Sequence, residues 1–374
     1  MQRETLAPRP AWRSKVEVLG LDFHTAANGD AYWWEEACYA FSAAEVDEIE
    51  AATETLHGLC LDAVDRLVAT RDFARLDIPE AYWPWIAESW ERRDPDVYGR
   101  FDLAYDGVSP PKLLEYNADT PTALIEAAVV QWYWLEEVKP GADQFNSLHE
   151  KLIDRWKALA GRAARGGHPT QLHLTAVLGE LEDRRTVEYM QDVANQAGWT
   201  TGILDIAEIG WNGAVFTDLA EQPLSFLFKL YPWEWMLREE FGRHLLSDLV
   251  GIVEPPWKML LSNKAILPVL WEMFPDHPNL LPAARQREAV AGACVEKPIY
   301  GREGADVVLI GEREVVVDRS DRVYQALAPL PVFDGWHALI GSWVVAGQPA
   351  GMGLREDAGP VTTNASRFVP HYFR

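Results

Sequence analysis

YGRFDLAYDGVSPPKLLEYNA, residues 98–118, alternates apolar and polar side chains twice, on either side of a turn rich in Asp-Gly and Pro-Pro. Alternation with a period of two sends successive side chains to opposite faces of a strand, so the stretch predicts a β-hairpin. On its first strand Arg100, Asp102 and Ala104 share one face, opposite Phe101, Leu103 and Tyr105; on its second, Leu113, Glu115 and Asn117 share a face, opposite Leu114 and Tyr116. If the two polar faces coincide, Asp102, Glu115 and Asn117 bring three hard oxygen donors together beside the Arg100 guanidinium. Mg2+ accepts such a set, because it prefers carboxylate and amide oxygens and completes its octahedron with water or phosphate. Two carboxylates ~4 Å apart repel by a few kcal/mol at an effective dielectric of about 20, so this face calls for a cation or for Arg100. An exposed strand face with ordinary surface charges has the same spacing.

Outward from the hairpin, Thr120-Pro121 reads as a helix start, with a capping hydroxyl and proline at the first helical position, leading into TALIEAAVVQWYWLEEV and ending by Pro140. A helix N-terminus at Thr120, beside Asp119, could also hold a substrate carboxylate or phosphate. Upstream, Ser42 and Glu45 form a capping box, and Val46, Ile49, Thr53, Leu56, Cys60, Ala63 and Leu67 lie three or four apart, predicting a helix over 42–69. Downstream, from 171 to 204, an apolar run (LHLTAVL), an amphipathic stretch over 182–197 closed by Gly198, and TTGIL predict a βαβ unit. After residue 255 come a short helix following SNK and short strands at 292–298, 306–310, 314–318, 322–327, 337–345 and 350–355, a predominantly antiparallel sheet. The fold class is thus α/β (α+β).

The 374 residues carry 34 basic and 57 acidic side chains, a formal charge of −23. A field of that sign repels phosphate backbones and anionic headgroups, which argues against nucleic acid and membrane as partners and for small molecules or cations. No apolar run has the length of a signal peptide or a membrane span, so a cytoplasmic protein is expected. Cys38, Cys60 and Cys294 show no CxxC spacing and are expected as buried thiols, and the 17 tryptophans as fillers of core and grooves.

A second cluster of chemistry lies downstream. Lys297 ends the strand-like ACVEKP and precedes IYGREGADVVLI, an order that can set an ammonium and backbone amides around nucleotide phosphates, although GREGAD also suits a plain hairpin turn. Lys264, in SNKAILP, sits near a helix start, where an ammonium needs an anionic partner. HExxH, GxSxG and GxxxxGK[ST] are all missing, which leaves zinc hydrolysis, a serine nucleophile and a Walker-type loop without support.

In order along the chain, RFDLAYDG, KLLEYNADTPT, FKLYPWEW, SNKAILPVLWEMFPDHPNLLPA, VEKPIYGREGADV and GMGLRED resemble the synthetase part of the glutathionylspermidine synthase family, and most closely its stand-alone acid–amine ligases, which lack an amidase domain. The resemblance spans roughly residues 10–358. It implies a circularly permuted ATP-grasp fold with an associated Rossmann-like pre-ATP-grasp layer, divided as residues 1–165 (N-terminal helical segment plus the hairpin), 166–250 (pre-ATP-grasp α/β layer) and 251–374 (nucleotide-binding part), with the hairpin joining the C-terminal sheet in space. It implies an ATP-dependent ligase that forms an amide through an acyl phosphate, with ATP and Mg2+, two ions by analogy, as cofactors. By the same resemblance Asp102, Glu115 and Asn117 are magnesium ligands and Arg100 stabilises the transferring phosphoryl group. Lys264, Lys297 and Arg355 hold phosphates. Gly301, Arg302, Gly304 and Ala305 belong to a glycine-rich lid, and Gln325, Ala326 and Leu327 to the adenine-binding hinge. Thr120 takes the place of a substrate-contacting serine, Glu182 and Asp183 fall near an acidic pair used for a polyamine, and Leu230 replaces a threonine that contacts glutathione. The alternatives are a catalytically silent nucleotide-binding protein and a phosphotransferase that stops at the acyl phosphate.

Overall fold

The alternation of the hairpin is realised in strands Tyr98–Ala104 and Lys112–Asn117, which pair antiparallel with Arg100 opposite Asn117, Phe101 opposite Tyr116 and Asp102 opposite Glu115, and a bulge after Asp102. The computed structural model describes residues 1–374 except 27, 28, 303, 313 and 315–318. The two polar faces therefore coincide. On the reverse face Phe101 and Tyr116 stack with ring centroids 3.9 Å apart and join the apolar stripe of the helix Ala43–Thr70 in one buried cluster.

That helix starts as its residues dictate. The Ser42 side chain accepts from the Glu45 amide, and the Glu45 carboxylate accepts from the Ser42 amide. Val46, Ile49, Thr53, Leu56, Cys60, Ala63 and Leu67 are all buried. Thr53 Oγ1 lies 2.6 Å from Ser342 Oγ and so ties the helix to the strand Trp336–Val345. Ser42→Ala is expected to cost about 1 kcal/mol of stability, read as a shift of the urea midpoint at unchanged slope.

Trp336–Val345 pairs antiparallel with Tyr98–Ala104 on one side and with Gln348–Asp357 on the other, and Arg367–Val369 closes that edge. A hairpin from the first third of the chain is thus built into the sheet of the last third. Beside it stands a four-stranded antiparallel sheet ordered Ala283–Ala284, Arg322–Ala326, Cys294–Pro298 and Val308–Ile310. The strand expected at 314–318 lies, apart from Glu314, outside the described residues.

The βαβ unit forms with Gln171–Ala176, the helix Leu181–Gln196 and Thr200–Asp205. Its sheet is parallel throughout and extends through Phe226–Leu230 to Gly251–Val253, two strands that the sequence pattern did not reveal. One expectation is corrected. Thr120-Pro121 does not start a helix: helical backbone begins at residue 124, after Ala123 at φ 65°, with a π-helical turn Glu126–Val130 leading into the α-helix Gln131–Val138. Arg100 Nη1 donates to the Thr122 carbonyl at 2.6 Å and Lys229 binds the Asp119 carboxylate, contacts that hold residues 119–122 out of helical conformation. All three cysteines are buried free thiols, and the rings of Trp33, Trp134, Trp156, Trp233 and Trp343 are buried in the core. Among the described residues no helix is long and apolar enough to cross a membrane.

Candidate active site

The antiparallel sheet with Lys297, the hairpin face and the C-terminal end of the parallel sheet surround one cavity of about 660 Å³. Every residue singled out from the sequence lines it: Arg100, Asp102, Glu115, Asn117, Thr120, Glu182, Asp183, Lys264, Lys297, Gly301, Arg302, Gly304, Ala305, Gln325, Ala326, Leu327 and Arg355.

On its floor the Arg100 guanidinium grips Asp102 twice, Nε to Oδ1 at 2.8 Å and Nη2 to Oδ2 at 3.2 Å. Asn117 Nδ2 lies 3.2 Å from Asp102 and 3.3 Å from Glu115. Lys264 Nζ is 3.1 Å from Glu115 and also donates to the Gly301 carbonyl, so the anionic partner that its place near the helix Ile266–Met273 requires is the hairpin carboxylate. Burial alone would raise the Glu115 carboxyl, but Lys264 and Lys297 more than reverse this and bring it down to about 2. Burial keeps Asp102 above its ordinary value in spite of Arg100. The two neighbouring carboxyls are thus shifted in opposite directions, Asp102 upward by burial and Glu115 downward by the two lysines.

Lys297 is 7% exposed; its ammonium donates to the Leu114 carbonyl at 2.8 Å and to Gln325 Oε1 at 2.7 Å, and burial lowers it to about 8. Gln325 in turn donates to the Leu113 carbonyl at 2.9 Å. The strand Arg322–Ala326 and the second hairpin strand are thereby joined through side chains. Arg302, from the glycine-rich loop, reaches across the opening to Thr120 Oγ1 at 3.0 Å and lies 5.1 Å over the Trp235 ring. Arg355 donates to the carbonyls of Thr363 and Ser366.

The wall opposite is acidic. Glu180, Glu182 and Asp183 line it at the start of the helix Leu181–Gln196, and behind them Glu126 accepts from the Tyr32 hydroxyl at 2.6 Å. Burial, followed by the charge of Glu182, pushes Glu126 up to about 7. The sequence reading missed Glu126, although a single Glu inside the apolar run TALIEAAVV was a signal. It also missed the buried pair Lys229–Asp119, which joins the parallel sheet to the segment after the hairpin; Asp119 Oδ2 accepts from the Trp233 amide at 3.0 Å.

A family model described as glutathionylspermidine synthase preATP-grasp matches residues 3–374. The chain belongs to the glutathionylspermidine synthase family. A Haemophilus influenzae protein named "putative acid–amine ligase" is 41% identical over the full length of both chains. The bifunctional glutathionylspermidine synthetase/amidase of Escherichia coli is 30% identical across 92% of this chain, which spans 60% of the length of that relative. The trypanothione synthetase of Crithidia fasciculata is 29% identical across 84% of this chain and 53% of its own length. Among solved structures, a glutathione synthetase-like effector of Globodera pallida superposes with a TM-score of 0.54 at 11% identity, over 98% of this chain and all of that one, which supports the fold. The glutathionylspermidine synthase-family chain is therefore an ATP-grasp-type ligase that forms carbon–nitrogen bonds.

Proposed function

We propose that the protein joins a carboxylic acid to an amine, a polyamine or another amino compound, with ATP as co-substrate. The observation that carries this reading is the convergence of Arg100, Asp102 and Glu115 with Lys264 and Lys297, from three distant parts of the chain, on one cavity. In the proposed reaction a carboxylate oxygen of the acid attacks the γ-phosphorus and ADP leaves; the neutral amine nitrogen then attacks the acyl carbon, the carbon–oxygen bond to phosphate breaks, and the nitrogen gives its proton to the departing phosphate. The donor set of Asp102, Glu115 and Asn117 fits Mg2+ in chemistry, two carboxylates on directly opposite residues and a side-chain amide whose Nδ2 lies 3.2 and 3.3 Å from them. When bound, Mg2+ supplies positive charge to the phosphate oxygens.

The side chains do the rest by placement. Lys264 and Lys297 would neutralise phosphate oxygens, and Arg100 and Arg355 the charge that develops on the transferring group. Gln325, Ala326 and Leu327 would border the base. Gly301, Arg302, Gly304 and Ala305 would cover the phosphates and keep water from the activated acid. Thr120, held by Arg302, would meet the acid, and Glu182 and Asp183 would draw in a cationic amine.

The test is ADP release from Mg-ATP across a panel of acids and amines. Release that needs both an acid and an amine supports the ligase, whereas release with an acid alone would mean a phosphotransferase, and nucleotide binding without release a silent binder. For whichever amine is used, Asp183→Ala and Glu182→Ala are each expected to raise its KM by about tenfold or more, the worth of a lost charged hydrogen bond, with the KM for ATP nearly unchanged. Equal effects on both KM values would remove the amine from this wall.

A further inference from the structure

The sheet beneath the phosphate end of the cavity carries a row of four residues, one per strand: Glu115, Asp102, Gly341 and Gly353. Residues directly opposite on neighbouring strands share a face, so two carboxylates stand next to two positions with no side chain. Arg100 starts from the adjoining row, opposite Trp343, and its guanidinium lies 5.7 Å from that ring. From there it reaches toward the bare positions: a Cβ on Gly341 would come within 2.8 Å of Arg100 Cδ, and within 3.4 Å of both its Nε and its Cγ. Arg355 follows Gly353 by two residues, on the same face.

The geometry points to Gly341 as a positioning residue that sets the depth at which Arg100 lies. This rests on the ligase reading, in which Arg100 faces the terminal phosphate. A clash under 3.0 Å is relieved cheaply only where the struck atom is a free end. Here the struck Cδ is mid-chain, and the far end is fixed by both oxygens of Asp102 and by the Thr122 carbonyl. A methyl group at 341 therefore has to lift the guanidinium and strain those three bonds, or distort the strand. Backbone freedom is not the reason for this glycine, which does not lie at positive φ; close approach is. Gly353 is a different case, because a Cβ there would strike the Phe368 ring at 2.7 Å and leaves Arg100 alone.

The test uses calorimetric affinities of the full chain for Mg-β,γ-imido-ATP and for Mg-ADP. Gly341→Ala is expected to weaken the triphosphate analogue about tenfold or more while Mg-ADP stays within about twofold, the worth of one displaced charge-assisted hydrogen bond to the terminal phosphate. Gly353→Ala should show no such selectivity. In an Arg100→Ala background, which removes the struck atom, Gly341→Ala should change neither affinity nor thermal midpoint. Equal loss of both nucleotides in Gly341→Ala, or additivity of its effects with Arg100→Ala, would overturn the proposal and leave a merely structural glycine. An Arg100→Ala variant that binds the triphosphate analogue as tightly as wild type would instead overturn the phosphate role of Arg100 on which the proposal rests. Should Gly341→Ala fold poorly, recovery of its midpoint in the Arg100→Ala background supports the proposal, and failure to recover overturns it.

Discussion

Glu115→Gln is expected to abolish most of the Mg2+-dependent stabilisation that β,γ-imido-ATP gives the wild-type protein. Lys264 and Lys297 hold the Glu115 carboxyl down at about 2, so it is ionised at any working pH, and a metal ion would share its charge with the Lys264 ammonium 3.1 Å away. The glutamine keeps the shape and one carbonyl oxygen but loses that charge. Ligand at ~100 times Kd adds about 2.7 kcal/mol to the folded state, a rise of several degrees in thermal midpoint. Partners one step removed from a metal are already worth about 10–100-fold in its affinity, so a direct ligand is expected to cost about 100-fold or more, which at fixed concentrations erases the shift. The measurement is the midpoint of wild type and variant with and without the analogue, each with and without Mg2+. A variant that keeps the full Mg2+-dependent rise would remove Glu115 from the metal set. A rise that does not depend on Mg2+ in either protein would leave nucleotide binding intact and move the cation elsewhere.

What could be read from the sequence was what local periodicity encodes. The polar face of the hairpin, the capped helix Ala43–Thr70 and the βαβ unit each advertise themselves within a few turns or strands, because alternation and i, i+3, i+4 spacing are properties of neighbouring residues. Strand order is not such a property. That the hairpin joins the C-terminal sheet was implied by the family resemblance alone; nothing in residues 98–118 names Trp336–Val345, more than two hundred residues away, as the partner of Tyr98–Ala104. The misread start at Thr120-Pro121 shows the same limit from the other side. The capping pattern there is sound local chemistry, but Arg100 claims the Thr122 carbonyl and Lys229 claims Asp119, and both partners are distant in sequence. Lys229 also hid its own strand. FLFKL is short, carries a charge at its fourth residue and sits in a parallel sheet, where alternation is lost; its buried ion pair with Asp119, invisible locally, and its hydrogen bond to the Tyr231 carbonyl make the lysine acceptable there. Glu126 was passed over for a related reason: one carboxyl in an apolar run reads as a helix surface until the fold sets Tyr32 and Glu182 against it.

Lys258→Met is expected to give the largest loss of stability outside the cavity, and one that depends on pH. Lys258 and Glu254 are both fully buried and 2.7 Å apart; Lys258 also donates to the Tyr98 carbonyl at 2.6 Å and lies 3.4 Å from Asp96. Glu254 Oε1 accepts from the amides of Val97 and Tyr98 at 3.0 Å each, so the pair fastens the start of the first hairpin strand to the chain that leaves the parallel sheet. Removing one partner of a buried pair costs about 3–5 kcal/mol, because the other charge remains desolvated. Asp96 keeps Arg155 at 3.2 Å, but Glu254 is left with backbone amides alone. Burial already raises Glu254 to about 7 against the pull of Lys258, and without the lysine it goes higher. A carboxyl whose folded pKa exceeds its unfolded value binds more protons when folded, so stability falls as pH rises from the unfolded value through the folded one. The deficit of Lys258→Met, measured by urea unfolding against wild type, should therefore be largest near pH 8 and shrink by about 1 kcal/mol or more near pH 5, where Glu254 can take up a proton. Glu254→Gln combined with Lys258→Met removes both charges and should be more stable at pH 8 than Lys258→Met alone. A deficit equal at the two pH values, or a double variant no better than the single, would mean that the lysine stabilises by packing its four methylenes rather than by its charge.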